Sequence, residues 1–394
     1  MALTVLCACN DSEERIVRKA DKIHSSILTV DTHCDTPLEF GEQGFDIGIW
    51  NNTGCIDFPR MKAGGLHAEF FAAYTAQGPR NDSGYLKANN RALSLINQIY
   101  ENVDKYNSMA EIAYTADDAY RIKKSGKIAV YIGVENGYPI SRDITKVKDF
   151  YDRGARYITL SHTRNNDICD SSNDASGAEH NGLSEFGKQV IQEMNKLGMM
   201  IDVSHISDKS FYDVLALTKT PVIASHSSCR ALCHNPRNLT DEMLLALKEN
   251  GGVIQICILS AYLITIEDDP EMLRSLAELN SIYGNYDTIS DEAKKNMLRE
   301  EYRDIRKRYE RHATVSDIVD HIDHVAQVIG IDYVGIGTDF DGGGGVEGCK
   351  DASEMKNITI ELLRRGYSKN DIEKIWNGNI MRVMRQVERA AEKS

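Results

Sequence analysis

Eight short runs of β-branched and apolar residues recur along the chain, and nearly all of them stop at polar residues. The first, 27–30, runs into Asp31, Thr32, His33, Cys34 and Asp35. The second covers 66–74, the third covers 127–134 and meets Glu135, and the fourth covers 155–160 and meets Ser161 and His162. Runs at 199–203, 221–224, 252–259 and 333–337 lead in turn to His205, His226, Ser260 and the segment Thr338, Asp339, Phe340, Asp341. Runs this short and this rich in branched residues predict strands. The intervening segments, such as 183–197, 209–217 and 241–249, place apolar residues at helical spacing. Strands alternating with helices predict a parallel α/β sheet. Periodicity alone leaves a doubly wound sheet open. Eight units, most of them ending at His, Asp or Glu, point instead to a (β/α)₈ TIM barrel, whose chemistry gathers at the C-terminal ends of its strands.

The stretch 261–317, between the seventh and eighth runs, breaks the rhythm. It is acidic and then densely charged from Lys294 to Arg308, and reads as exposed helices inserted into a barrel loop. A solvated face explains it best, with a lid or a dimer contact as the other roles. The expected organisation is a lead-in over 1–20 and a single catalytic domain over 21–394 that carries this insertion.

Composition narrows the class. An excess of 59 acidic over 46 basic residues, net charge -13, disfavours binding to phosphate backbones, so nucleic acid is not an expected partner. No run approaches the roughly 20 apolar residues of a membrane span. Nine cysteines without CxxC pairs show neither a disulfide framework nor a zinc ribbon, so most are expected as buried free thiols. The start, with Cys7 and Cys9 after a short apolar stretch, is similar to the tail of a lipoprotein signal, although the basic region of an intact signal is absent. That reading favours a lipid-anchored or periplasmic place in a bacterial cell envelope over the cytoplasm.

The polar residues at the strand ends carry the chemistry. His33 and Asp35 lie two apart, so a strand period of two points both to one face, a half-site for a divalent metal. Glu135, His205 and His226 end three further strands at the same mouth. Five ligands exceed the three that a catalytic zinc usually takes, so two metals sharing one carboxylate, most naturally Glu135, account for them. Asp339 is the candidate to move protons, with Asp341 competing two residues on. His162 reads as a substrate-side group able to donate to an oxyanion, without an adjacent carboxylate. Arg237 can hold a substrate carboxylate as a planar fork, and Arg230 competes for that role in the same loop.

In order and spacing these segments resemble the membrane dipeptidase (renal dipeptidase) family of metallopeptidases, among the amidohydrolase-like barrels. The markers are Val30-Asp-Thr-His33-Cys-Asp35, Gly133-Val-Glu135-Asn-Gly, Leu160-Ser-His162-Thr-Arg-Asn-Asn, Ile201-Asp-Val-Ser-His205, Ser225-His226-Ser-Ser, Pro236-Arg237-Asn-Leu and Gly337-Thr-Asp339-Phe-Asp-Gly. The resemblance implies two zinc ions bridged by Glu135, one also held by His33 and Asp35 and the other by His205 and His226. It implies that His162 and Arg237 bind substrate, that Asp339 transfers protons, and that free dipeptides are hydrolysed, including those ending in a D-residue. A homodimer is expected. Two other functions stay open at this point: an amidohydrolase acting on N-acyl amino acids or other small amides, and a surface lipoprotein that keeps the barrel as a non-catalytic scaffold.

Overall fold

The computed structural model describes residues 2–265, 269–283 and 311–391, together with 297, 298, 301, 302, 304, 305 and 308. Eight parallel strands form the barrel: β1 (Val30–Cys34), β2 (Ala68–Tyr74), β3 (Ile128–Glu135), β4 (Ala155–Thr159), β5 (Met200–Asp202), β6 (Ile223–Ser227), β7 (Val253–Ile256) and β8 (Val334–Ile336). Each pairs with the next in parallel, and a short extra strand, Ala110–Ile112, adds to β3 from outside the ring. The ring closes between β8 and β1 through Asp35 N–H donating to Phe340 O at 2.8 Å and Asp339 N–H donating to His33 O at 3.0 Å.

Two strands begin later than the apolar pattern predicts. β1 starts at Val30, so Asp31, Thr32 and His33 lie within the strand, and β6 extends to Ser227 and takes in His226. Polar residues are tolerated there because the barrel satisfies them. The Thr32 hydroxyl donates to Ser225 O at 2.7 Å, and the Asp31 carboxylate accepts from Thr338 N–H at 2.8 Å and from the Thr338 hydroxyl at 2.5 Å. β5 and β6 share a single residue pair. Asp202 supplements it by accepting from Ser225 N–H at 2.9 Å and from the Ser225 hydroxyl at 2.6 Å.

Helices follow the strands with local start and stop signals. Ser184, Ser207 and Thr240 cap the helices Glu185–Leu197, Asp208–Leu217 and Asp241–Asn250 by accepting from backbone N–H groups of the first turn. Gly198 and Gly251 end the first and third in the left-handed conformation. The leading helix, Ala2–Ser26, is docked by buried Ala20, Ile23 and His24. The two nitrogens of His24 reach Thr359 Oγ1 at 2.9 Å and Gly64 O at 2.8 Å. The inserted segment begins with the helices Ser260–Leu263 and Pro270–Tyr283, while most of the charged run from Lys294 lies outside the described residues. No helix among the described residues is long and apolar enough to cross a membrane. Seven described cysteines are free thiols, all but Cys55 buried.

Inside the barrel, Phe70, Tyr131 and Tyr157 form an aromatic pile, with Phe70 4.4 Å from Tyr131 and 5.7 Å from Tyr157 between ring centres. Each such buried ring contributes about 1.5–3 kcal/mol. A Cβ on Gly133 would sit 2.1 Å from the Tyr157 ring, so the bare backbone there lets the ring lie across β3. The Tyr157 hydroxyl then reaches the polar layer above, where it meets His33.

Candidate metal centre

The seam between β1 and β8 places His33, Asp35 and Asp339 together, their ligand atoms within 4.8 Å of one another. Two further groups of the same tightness share Glu135: one with His33 and His226, the other with His162 and His205. Glu135, the last residue of β3, is 1% exposed. Its two oxygens face different partners. Oε2 lies 3.5 Å from His33 Nε2, whereas Oε1 lies 3.1 Å from His205 Nε2, 3.5 Å from His226 Nε2 and 3.8 Å from His162 Nε2.

Neighbouring side chains orient the imidazoles. His33 Nδ1 meets the Tyr157 hydroxyl at 2.9 Å, which turns Nε2 towards Glu135. His226 Nδ1 meets Ser225 Oγ at 2.8 Å, and that hydroxyl donates its one proton to Asp202 Oδ2. Ser225 therefore accepts from His226 Nδ1–H, leaving a lone pair on His226 Nε2. His205 enters from a backbone with φ of 70°, and its Nε2 lies 2.8 Å from that of His226.

Burial holds His205 and His226 well below the usual imidazole range and takes His162 to about 3, so all three are neutral. Burial also pushes Glu135 up to about 8, Asp339 up to about 7 and Asp35 well above the usual carboxylate range. His33 Nε2, Asp35 Oδ1, Glu135 Oε2 and His205 Nδ1 are buried without a hydrogen-bond partner. Converging lone pairs and carboxylates that find no donor fit divalent cations, and a set of imidazoles and carboxylates suits zinc, as it does manganese or cobalt.

Two pairs of competing residues separate cleanly. The Asp341 carboxylate accepts from the Thr36 hydroxyl at 2.6 Å and from Cys55 N–H at 2.7 Å, tying two loops together. Asp339, with φ of 60°, instead turns to the cluster, 4.0 Å from His33 Nε2 and 3.7 Å from Cys257 Sγ. A Cβ on Gly342 would lie 2.3 Å from both Asp339 Oδ1 and Asp35 Oδ2, so only glycine fits beside these carboxylates. Arg230 has its fork on Asp208, both contacts at 2.7 Å. Arg237 is 2% exposed, donates to His226 O at 3.0 Å and to Ser227 Oγ at 3.4 Å, and lies 5.2 Å over the Tyr262 ring. Its Nε has no partner, and among the described residues no carboxylate pairs with it.

His162 differs from the sequence expectation in one respect. It does have a carboxylate beside it, Glu135, because β3 and β4 are neighbours in the ring even though the two residues are far apart in sequence. Its Nδ1 lies 3.4 Å from the Tyr74 hydroxyl. Sequence reading missed Tyr74, Tyr157, Asp202, Ser225, Cys257 and Tyr262. Asp202 carried a signal as a polar residue inside the run 199–203 and Ser225 as the polar residue that ends the run 221–224, whereas Tyr157 carried none.

Residues 17–394 match the profile of the family described as membrane dipeptidase (peptidase family M19). Dipeptidase 3 of Mus musculus is 31% identical over 97% of this chain and 69% of its own length. Dipeptidase verJ of Clonostachys rogersoniana is 32% identical over 95% of this chain and 88% of its own. Among solved structures, the probable dipeptidase PvdM from Pseudomonas aeruginosa superimposes with a TM-score of 0.86 at 31% identity, covering 96% of this chain and 100% of that one.

Proposed function

The chain belongs to the membrane dipeptidase family of metallopeptidases, and from that premise we propose that it is a dipeptidase holding two zinc ions that share Glu135. The observation that carries the shared site is the split of the Glu135 carboxylate, one oxygen towards His33 and the other towards His205 and His226. Asp35 completes the first set. When bound, the zinc pair supplies a water of lowered pKa and polarises the scissile carbonyl.

The chain's own residues do the rest. Arg237 is buried and, among the described residues, forms no ion pair with a carboxylate, the arrangement that a substrate's C-terminal carboxylate completes. His162 donates from Nε2–H to the developing oxyanion while Nδ1 accepts from the Tyr74 hydroxyl, whose proton is retained because burial pushes Tyr74 up to about 12. Asp339 takes the proton from the attacking water and returns it to the leaving amine. Dipeptides ending in a D-residue fall within this reading, because the fork holds the carboxylate whichever way the adjacent side chain points.

Metal analysis of the purified protein is expected to give two zinc per chain, with chelation abolishing cleavage of L,L and L,D dipeptides. One zinc per fully active chain contradicts the shared site.

Arg237 separates a dipeptidase from an enzyme for N-acyl amino acids or other amides. Arg237→Lys keeps the charge but loses the planar fork, so kcat/KM on a dipeptide should fall by roughly tenfold or more. On the dipeptide amide, wild type should already be slow and the substitution should matter little. Equal loss on both substrates would mean that Arg237 supports its loop and does not read the carboxylate.

A further inference from the structure

Beside the metal centre, between the end of β2 and the helix Asp82–Lys105, opens a cleft of about 380 Å³. Its walls include Leu38, three residues past Asp35, and Tyr74, whose hydroxyl approaches His162. The lining is otherwise apolar, with Pro79 and Tyr138, except for three features. Lys87 and Arg91 stand one helical turn apart on the cleft's helix, both exposed. Thr75 is 5% exposed, and its Oγ1 has no hydrogen-bond partner.

The two cations are unusual for their surroundings. Nearby Arg80 is paired with Glu179 at 2.7 Å and Arg142 with Asp167 at 2.9 Å. Among the described residues, no carboxylate pairs with Lys87 or Arg91. Like charges four apart on a helix repel, so the pair works against local helix stability. A carboxylate arriving in the cleft relieves that repulsion, and Thr75 Oγ1 offers it a donor.

Ring order says which part of a dipeptide reaches the cleft. β2 and β6 are four steps apart in a ring of eight, on opposite sides of the mouth. With the C-terminal carboxylate on Arg237, in the loop after β6, the N-terminal residue lies towards β2. We infer that the cleft is a subsite for an acidic side chain on the N-terminal residue of the dipeptide, held by Lys87, Arg91 and Thr75. The inference rests on the dipeptidase reading and on Arg237 as the carboxylate anchor.

The test compares kcat/KM for Glu-Ala and its neutral isostere Gln-Ala in wild type, Lys87→Gln/Arg91→Gln and Lys87→Glu/Arg91→Glu. Wild type should prefer Glu-Ala by roughly tenfold, the scale of a hydrogen-bonded charge. The neutral pair should erase that preference and the acidic pair should invert it, with Lys-Ala becoming the better substrate. Unchanged melting temperatures show that the fold is retained. A wild type that cleaves Gln-Ala without preferring Glu-Ala, or a ratio unmoved by both double variants, overturns the subsite while leaving the dipeptidase reading intact. A ratio that moves for Ala-Glu against Ala-Gln overturns the placement of the N-terminal residue. Failure of wild type to cleave any of these dipeptides overturns the dipeptidase reading, and the subsite with it.

Discussion

Asp339→Asn is expected to lower kcat by about 10²–10⁴-fold, the range that a positioned acid–base group supplies, while zinc content and melting temperature stay near wild type. Three features isolate the effect to proton transfer. Asn adopts the left-handed backbone at this position as readily as Asp. The amide is isosteric, so the tight space beside Gly342 is unchanged. The five residues proposed as ligands, His33, Asp35, Glu135, His205 and His226, are all left in place. Asp341→Asn is the matched control: it leaves only one of the two oxygens that accept from the Thr36 hydroxyl and Cys55 N–H, and should lower the melting temperature more than the turnover. Two results would reassign Asp339. Loss of zinc in the Asn variant would make it a ligand, and a silent Asp339→Asn beside a dead Asp341→Asn would move the proton carrier two residues along.

Glu135→Gln should remove metal and activity together. Replacing a residue that merely orients a metal ligand costs about 10- to 100-fold, so losing the carboxylate proposed to be shared by two cations should cost more than about a hundredfold in kcat/KM. In the proposed site, loss of the shared charge would leave two cations repelling each other. Metal analysis should find fewer than two zinc per chain. In chelator, however, the Gln variant should melt at or above wild type, because a neutral amide costs less to bury than a carboxylate. That opposition between metal-free stability and metal-bound activity distinguishes a functional carboxylate from a structural one. A variant that retains two zinc and turns over normally refutes the bridge.

Much of the metal centre is legible in sequence because it is written at strand ends. A run of branched apolar residues that halts at His, Asp or Glu marks both the strand and the residue it delivers, as 127–134 does for Glu135. The strand limits were less legible. Asp31, Thr32 and His33 fall past the apolar run 27–30, yet they belong to β1, where Ser225 and Tyr157 from other strands and Thr338 just past β8 satisfy their side chains.

The sequence by itself determined the α/β alternation, the eight strands and the set of imidazoles and carboxylates that meet at the barrel mouth, because each is encoded in local periodicity and in residue type at a strand end. Only the tertiary structure decided between like residues close together in the chain. Asp339 faces the cluster because Thr36 and Cys55, from the other side of the seam, occupy Asp341. Arg237 faces the site because Asp208 occupies the fork of Arg230. The same holds for the side chains that aim the imidazoles: Tyr157 reaches His33 across the barrel interior through the space left by Gly133, and Asp202 reaches His226 through Ser225. The physical reason is one of range. Periodicity reports what a residue's own strand or helix requires, whereas a side chain's partner is set by whichever strand the closed ring brings next to it.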